Sequence, residues 1–223
     1  MSNPRSSHLA PRRELLLLLT LAGMQFTNIL DFMIMMPLAP QLMRLFGIGP
    51  QEFGFLVSAY TFAAAGSGFV AAFWIDRFDR KRALLAMYTG FIVATASCGI
   101  APNYALLVAA RLVAGVFGGV IGALVLTIVA DVVPYVRRAR GTALVSAAFS
   151  LAAVMGVPLG LWLAAHYSWR APFLVLAALS IVAGVVAWRV VPPLEAHLAG
   201  GERRHPIAQR RAIFGVRNHV RAF

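Results

Sequence analysis

Charge is scarce in this chain of 223 residues: only 13% are Asp, Glu, Lys or Arg, about half the share usual in a soluble domain. Acidic residues are scarcer still, 8 against 20 basic ones. There is one cysteine, Cys98, in the middle of an apolar run, which excludes a disulfide framework and a cysteine-based metal cluster. The apolar runs hold no nucleophile–base pair and no set of metal ligands. His8, His197, His205 and His219 fall outside them, and His166 sits at an outer edge. An intramembrane enzyme, a resident metal and an organic cofactor are therefore not expected. The formal net charge of +12 does not argue for nucleic acid either, because the basic residues lie at the edges of apolar runs, where they set topology and meet anionic head groups.

What is there is hydrocarbon: 60% of residues are hydrophobic and the mean hydropathy is +0.78. Six apolar runs cover roughly 15–38, 53–75, 83–101, 104–130, 142–165 and 170–191. Each is about the 20 residues that cross ~30 Å of hydrocarbon. Continuous apolar runs predict helices, since a closed barrel needs short alternating strands. The first run, after Pro11-Arg12-Arg13, continues past the length of a secretory signal and has no small-residue cleavage site, so it reads as a retained helix.

All but three of the 20 basic residues lie in the N-terminal arm, the second gap, the fourth gap and the C-terminal end. This alternation is the positive-inside pattern, and it predicts both termini in the cytoplasm. The exceptions are Arg44 and Arg170, on the opposite side, and Arg111, inside a run. Trp74 and Trp188 mark the inner interface, and Tyr104, Trp162, Tyr167 and Trp169 the outer one. The expected organisation is a cytoplasmic arm over 1–14, a six-helix membrane domain over 15–191 and a basic tail over 192–223. The end of that tail, Ile207 to Phe223, interleaves arginines with apolar residues, and two readings stay open: an amphipathic surface helix or a solvated loop.

Two charges violate the pattern. Asp31 and Arg111 each lie about seven residues from the outer end of oppositely directed spans, hence roughly 10 Å deep. A buried acid and base at one depth can pair and offset part of their desolvation cost. Asp31 shares a helix face with Thr20, Met24, Thr27, Asn28 and Met35. That stripe has two readings, an interhelical hydrogen-bond seam or the lining of a cavity with a protonatable acid. On the second reading Met24, Gln25, Asn28, Met35 and Tyr60 line a half-cavity, where methionines suit varied apolar ligands. Gly115, Gly118, Gly119 and Gly122 in span four allow close helix approach. Gly156, Pro158 and Gly160 predict packing or a bend in span five. Asp76 of the second gap is placed to meet a neighbouring helix start or Arg80.

These residues resemble the major facilitator superfamily, specifically its drug:proton antiporter and arabinose-efflux-like branch. The likeness covers the whole chain but only the N-terminal six-helix half of such a transporter. Asp76, Arg77, Arg80, Lys81 and Arg82 match the signature loop after the second helix, which is associated with gating; its two glycines are replaced by Ala72 and Asp79. Arg111 followed by Gly115 is similar to the fourth-helix arginine signature tied to proton coupling. Gly156-Val157-Pro158-Leu159-Gly160 is similar to a loosened fifth-helix antiporter signature, and Asp31 followed by Pro37 to the first-helix acid motif.

The resemblance implies an all-α membrane fold of two inverted three-helix repeats. It implies transport of a small molecule by alternating access in a bacterial inner membrane, driven by the proton gradient, with Asp31 exchanging the proton and Arg111 balancing its charge. Three readings remain for a half: part of a longer coding sequence, a half working with a second six-helix half or as a homodimer, or a non-transporting membrane partner.

Overall fold

Lipid offers the backbone no hydrogen-bond partners, so chain that crosses it must satisfy its own amides. The computed structural model describes residues 11–75 and 78–192 and is helical throughout its regular elements. The helices are α1 (Pro11–Met33), α2 (Met35–Phe46), α3 (Pro50–Trp74), α4 (Arg80–Ile100), α5 (Tyr104–Val132), α6 (Tyr135–Leu151), a π-helical turn (Ala152–Gly156), α7 (Val157–His166) and α8 (Ala171–Val190). They make six membrane-length spans: α1 with α2, α3, α4, α5, α6 to α7, and α8. Most extend a few residues beyond the apolar runs, because polar first turns cap helices whose centres are apolar. The tail from 193 onward, with its two readings, lies outside the described residues.

Prolines account for the two interrupted spans. The first breaks at Ile34, three residues before Pro37, whose ring crowds the preceding turn. The fifth widens into the π-helical turn directly before Pro158, so the bend expected there takes the form of a widened turn. Local caps set the other ends. Asp79, standing where the loop signature has glycine, accepts from the backbone N–H groups of Lys81 and Arg82, each at 3.3 Å, and starts α4. Asn103 Oδ1 accepts from Leu106 N at 2.9 Å and starts α5. Gly47, at φ 63°, closes α2 in the left-handed conformation that glycine adopts without penalty.

The packing repeats itself. Span one lies against spans five and six, and span four lies against spans two and three. Spans one and four touch, as do three and six. Exchanging the first three spans with the last three maps this set of neighbours onto itself, which is the two inverted repeats. The close contacts repeat too. In one, Gly115 and Gly119 of span four meet the backbone of Tyr60 and Ala64 in span two; in the other, Gly156 and Gly160 of span five meet the side chains of Leu30 and Ile34 in span one. These glycines let helices approach within reach of one another's backbone or branched side chains.

The interior is layered. One apolar cluster, with Leu17, Met24, Tyr88, Phe91, Leu124 and Ile128, fills the end nearest the chain start. A second, with Met35, Leu38, Leu56, Cys98, Leu107 and Phe173, fills the other end. Between them lies a thin layer of polar groups. Outward-facing residues remain apolar, for example Phe55, Phe62 and Phe69 of span two, as a hydrocarbon solvent requires.

Candidate functional site

The polar layer is built around Asp31 and Arg111, both inaccessible to solvent. Arg111 Nη1 donates to Asp31 Oδ2 at 2.6 Å and to the Asp31 carbonyl oxygen at 3.2 Å. The pair thus bridges spans one and four, the spans that the inverted repeat exchanges. Thr95 of span three donates from Oγ1 to Asp31 Oδ1 at 3.2 Å. Both carboxylate oxygens are therefore occupied, which an ion in this environment needs if it is to stay charged.

An aromatic plate covers the cation. The Tyr60 ring lies 4.3 Å from Arg111 Cζ, a cation–π contact strengthened by the lack of water. Tyr60 Oη donates to Asn28 Oδ1 at 3.0 Å, and Asn28 Nδ2 donates to the carbonyl of Gly118 at 3.0 Å. A side chain on Gly118 would collide with both Tyr60 Oη and Asn28 Oδ1, so the glycine makes room for this network. Phe32 stacks obliquely on Tyr60 with centroids 5.6 Å apart, and is partly exposed. The Cys98 thiol faces the same guanidinium.

A second polar group sits one turn away. Thr27 Oγ1 and Tyr88 Oη are 2.7 Å apart, joining spans one and three. The stripe on span one, from Thr20 through Thr27 and Asn28 to Asp31, is buried along its length. Within this half its polar side chains bond across helix interfaces, Thr27 to Tyr88 of span three, Asn28 to span four and Asp31 to spans three and four.

This burial corrects part of the proposed lining. Met24 and Met35 are fully buried, one in each apolar cluster, and line no opening. Met36, a single residue further on and therefore turned by about 100°, is exposed instead. Asn28 and Tyr60 are buried in the hydrogen-bonded layer, while Gln25 is half-buried. Two apolar grooves of about 580 Å³ open elsewhere on the surface. One runs between spans one, five and six, the other between spans three and four. Neither includes Asp31 or Arg111 in its lining.

At the end nearest the chain start, ion pairs tie the loops to neighbouring spans. Arg80, largely buried at the start of α4, lies with Nε 2.6 Å from Asp131 Oδ2 at the end of α5. Arg137 Nη2 reaches Glu14 Oε2 at 3.1 Å, and Arg138 Nη2 donates to the Ala130 carbonyl at 2.7 Å. Of the loop signature, Lys81 and Arg82 lend their backbone to the Asp79 cap, and the Arg82 side chain is exposed. Asp76 and Arg77 lie outside the described residues.

Sequence reasoning brought Asp31, Arg111, Asn28 and Tyr60 forward, and the fold brings these four together. It missed Thr95 and Asp131 and saw Gly118 only as packing. A hydroxyl in the centre of a long apolar run was the available signal for Thr95.

Six helices in two inverted repeats, with an acid–base pair between the symmetry-related spans, define half of a secondary-transporter scaffold. The family model described as Major Facilitator Superfamily matches residues 21–221. The chain belongs to that superfamily. Among curated relatives, the uncharacterized MFS-type transporter YceJ of Bacillus subtilis (strain 168) is 32% identical over 73% of this chain and 41% of its own length. The uncharacterized MFS-type transporter YhcA of the same organism is 30% identical over 78% of this chain and 32% of its own. The chain thus spans less than half the length of these relatives. Among solved structures, the proton:xylose symporter XylE bound to 6-bromo-6-deoxy-D-glucose superimposes with a TM-score of 0.76 over 95% of this chain and 52% of that one. At 14% identity this likeness concerns the fold. These relatives are named as transporters.

Proposed function

We propose that this chain forms the N-terminal half of a proton-coupled exporter of small molecules that works by alternating access. It sits in a bacterial inner membrane with both termini in the cytoplasm, opposed by a second six-helix half or by another copy of itself. The observation that carries this reading is the solvent-free Asp31–Arg111 pair at 2.6 Å, placed in a polar layer between two apolar clusters. An intramembrane carboxylate is costly and has a functional role by default, and this one joins the two inverted repeats of the half through spans one and four. On this reading Asp31 takes up a proton from one side and releases it to the other, while Arg111 keeps the site neutral when the carboxyl is ionised. Tyr60 and Asn28 form the wall between the pair and the substrate side, where Gln25, Phe32 and Met36 stand. Export as the direction draws support from the antiporter-like Gly156-Val157-Pro158-Leu159-Gly160 segment, which coincides with the widened turn of span five.

The test is reconstitution of the complete transporter containing this half into proteoliposomes with a trapped pH indicator. Ethidium, glucose and benzoate serve as cationic, neutral and anionic probes. Proton flux linked to one of them, and its loss in Asp31→Asn, is the expected result. Undiminished linked flux in Asp31→Asn rejects the coupling role.

A further inference from the structure

Helical threonines and serines ordinarily return their hydroxyl to a carbonyl one turn back. Thr20, Thr61, Thr89 and Thr127 do so here, onto Leu16, Val57, Leu85 and Ala123. Thr95 instead sends Oγ1 across a helix interface to Asp31 Oδ1 at 3.2 Å, and is fully buried. The two oxygens of Asp31 therefore face unlike partners. Oδ2 meets the Arg111 guanidinium at 2.6 Å, and Oδ1 meets a hydroxyl.

That difference matters for where a proton can go. A guanidinium only donates, whereas a hydroxyl can donate or accept. A proton on Oδ2 would oppose the N–H of Arg111 and force the ion pair apart. A proton on Oδ1 requires only that the Thr95 hydroxyl rotate, so that it accepts the new O–H. The other titratable or charged groups facing the pair are Tyr60 of span two and Cys98 of span three. Spans five and six carry no titratable residue between Arg140 and His166 or between Ala171 and Trp188.

We propose that Thr95 is a positioning residue for Asp31, holding Oδ1 as the oxygen that takes up and releases the proton while Arg111 stays on Oδ2. This deepens, and rests on, the reading of Asp31 as the proton-exchanging group. The step breaks one O–H bond of a hydronium ion and forms one at Oδ1, which neutralises the carboxylate and returns a water molecule; release of the proton is the reverse.

The test is infrared spectroscopy of the full chain in lipid. The carboxyl C=O band that grows on acidification and is missing in Asp31→Asn identifies protonated Asp31. In Thr95→Val, which keeps the shape and loses the hydroxyl, that band moves to higher wavenumber; in Thr95→Ser it returns to its original position. Should the valine variant fail to fold, Thr95→Ala reads the same shift. An unmoved band in Thr95→Val, a serine variant displaced like valine, or no Asp31-dependent band overturns the proposal. Proton flux with the ethidium, glucose and benzoate probes, measured on the reconstituted complete transporter, separates the two readings. Linked flux that persists undiminished in Asp31→Asn, beside the expected band shift, rejects coupling through Asp31 and leaves the Thr95 assignment standing.

Discussion

Arg111 Nη1 spans the gap between two oppositely directed helices to hold both the side-chain Oδ2 and the main-chain oxygen of Asp31. One donor nitrogen thereby fixes the acid and the backbone that carries it. Removing either partner strands a charge where water cannot reach it. Arg111→Met or Asp31→Asn alone is expected to cost about 3–5 kcal/mol of stability. The double variant, which strands no charge, is expected to recover most of that loss. Thermal unfolding of the purified protein in detergent, followed by circular dichroism, reads the difference, and an additive double variant would show that the charges do not interact.

Tyr60 contributes through its ring and its hydroxyl, and two substitutions separate them. Tyr60→Phe keeps the ring over Arg111 and loses the bond to Asn28, an expected loss of about 1 kcal/mol. Tyr60→Leu also removes the cation–π contact, worth about 2 kcal/mol when desolvated. The melting temperatures should fall in the order wild type, phenylalanine, leucine. Equal values for the two variants would place the whole effect in the hydroxyl.

Glycines of this chain differ in what surrounds them. A Cβ on Gly119 would run into the backbone of Ala64, so Gly119→Val must push spans two and four apart, at a cost of about 1–3 kcal/mol or more. A Cβ on Gly66 meets nothing within 4 Å. Gly66→Ala is expected to be neutral or to gain up to about 1 kcal/mol from helix propensity. Folded yield and melting temperature of the two variants decide it.

The Arg80–Asp131 contact holds the start of α4 to the end of α5. Asp131 is partly exposed, so its loss should cost only about 1 kcal/mol, yet it should loosen the local structure. Asp131→Asn is expected to speed amide hydrogen exchange in the first turn of α4, and high salt should do the same to the wild type. Unchanged exchange in that turn would leave the ion pair without a role in holding these ends together.

Much of this was legible in the chain. Runs of hydrocarbon length give the number and order of the helices, since the bilayer core leaves the backbone no other solution. The matched depth of Asp31 and Arg111 pointed to their pairing, because depth follows from counting residues along a helix. Rotation about the helix axis was a different matter. In lipid the outward face is as apolar as the inward one, so the contrast that orients a soluble helix disappears. That is why Met24 and Met35 read as cavity residues while Met36 occupies the exposed position. It is also why Thr95 carried no mark of its partner.

The sequence by itself determined six spanning helices, their order, the depth of their two intramembrane charges and the interruption at Pro158 in the fifth span. These depend on distance along one chain and on the cost of leaving a backbone amide unpaired. Only the tertiary structure decided which face of each helix turns inward. The contacts of Thr95 with Asp31, of Gly118 with Asn28 and of Arg80 with Asp131 all follow from that choice. The physical reason is that close packing between helices, and not a contrast between oil and water, orients a helix surrounded by hydrocarbon.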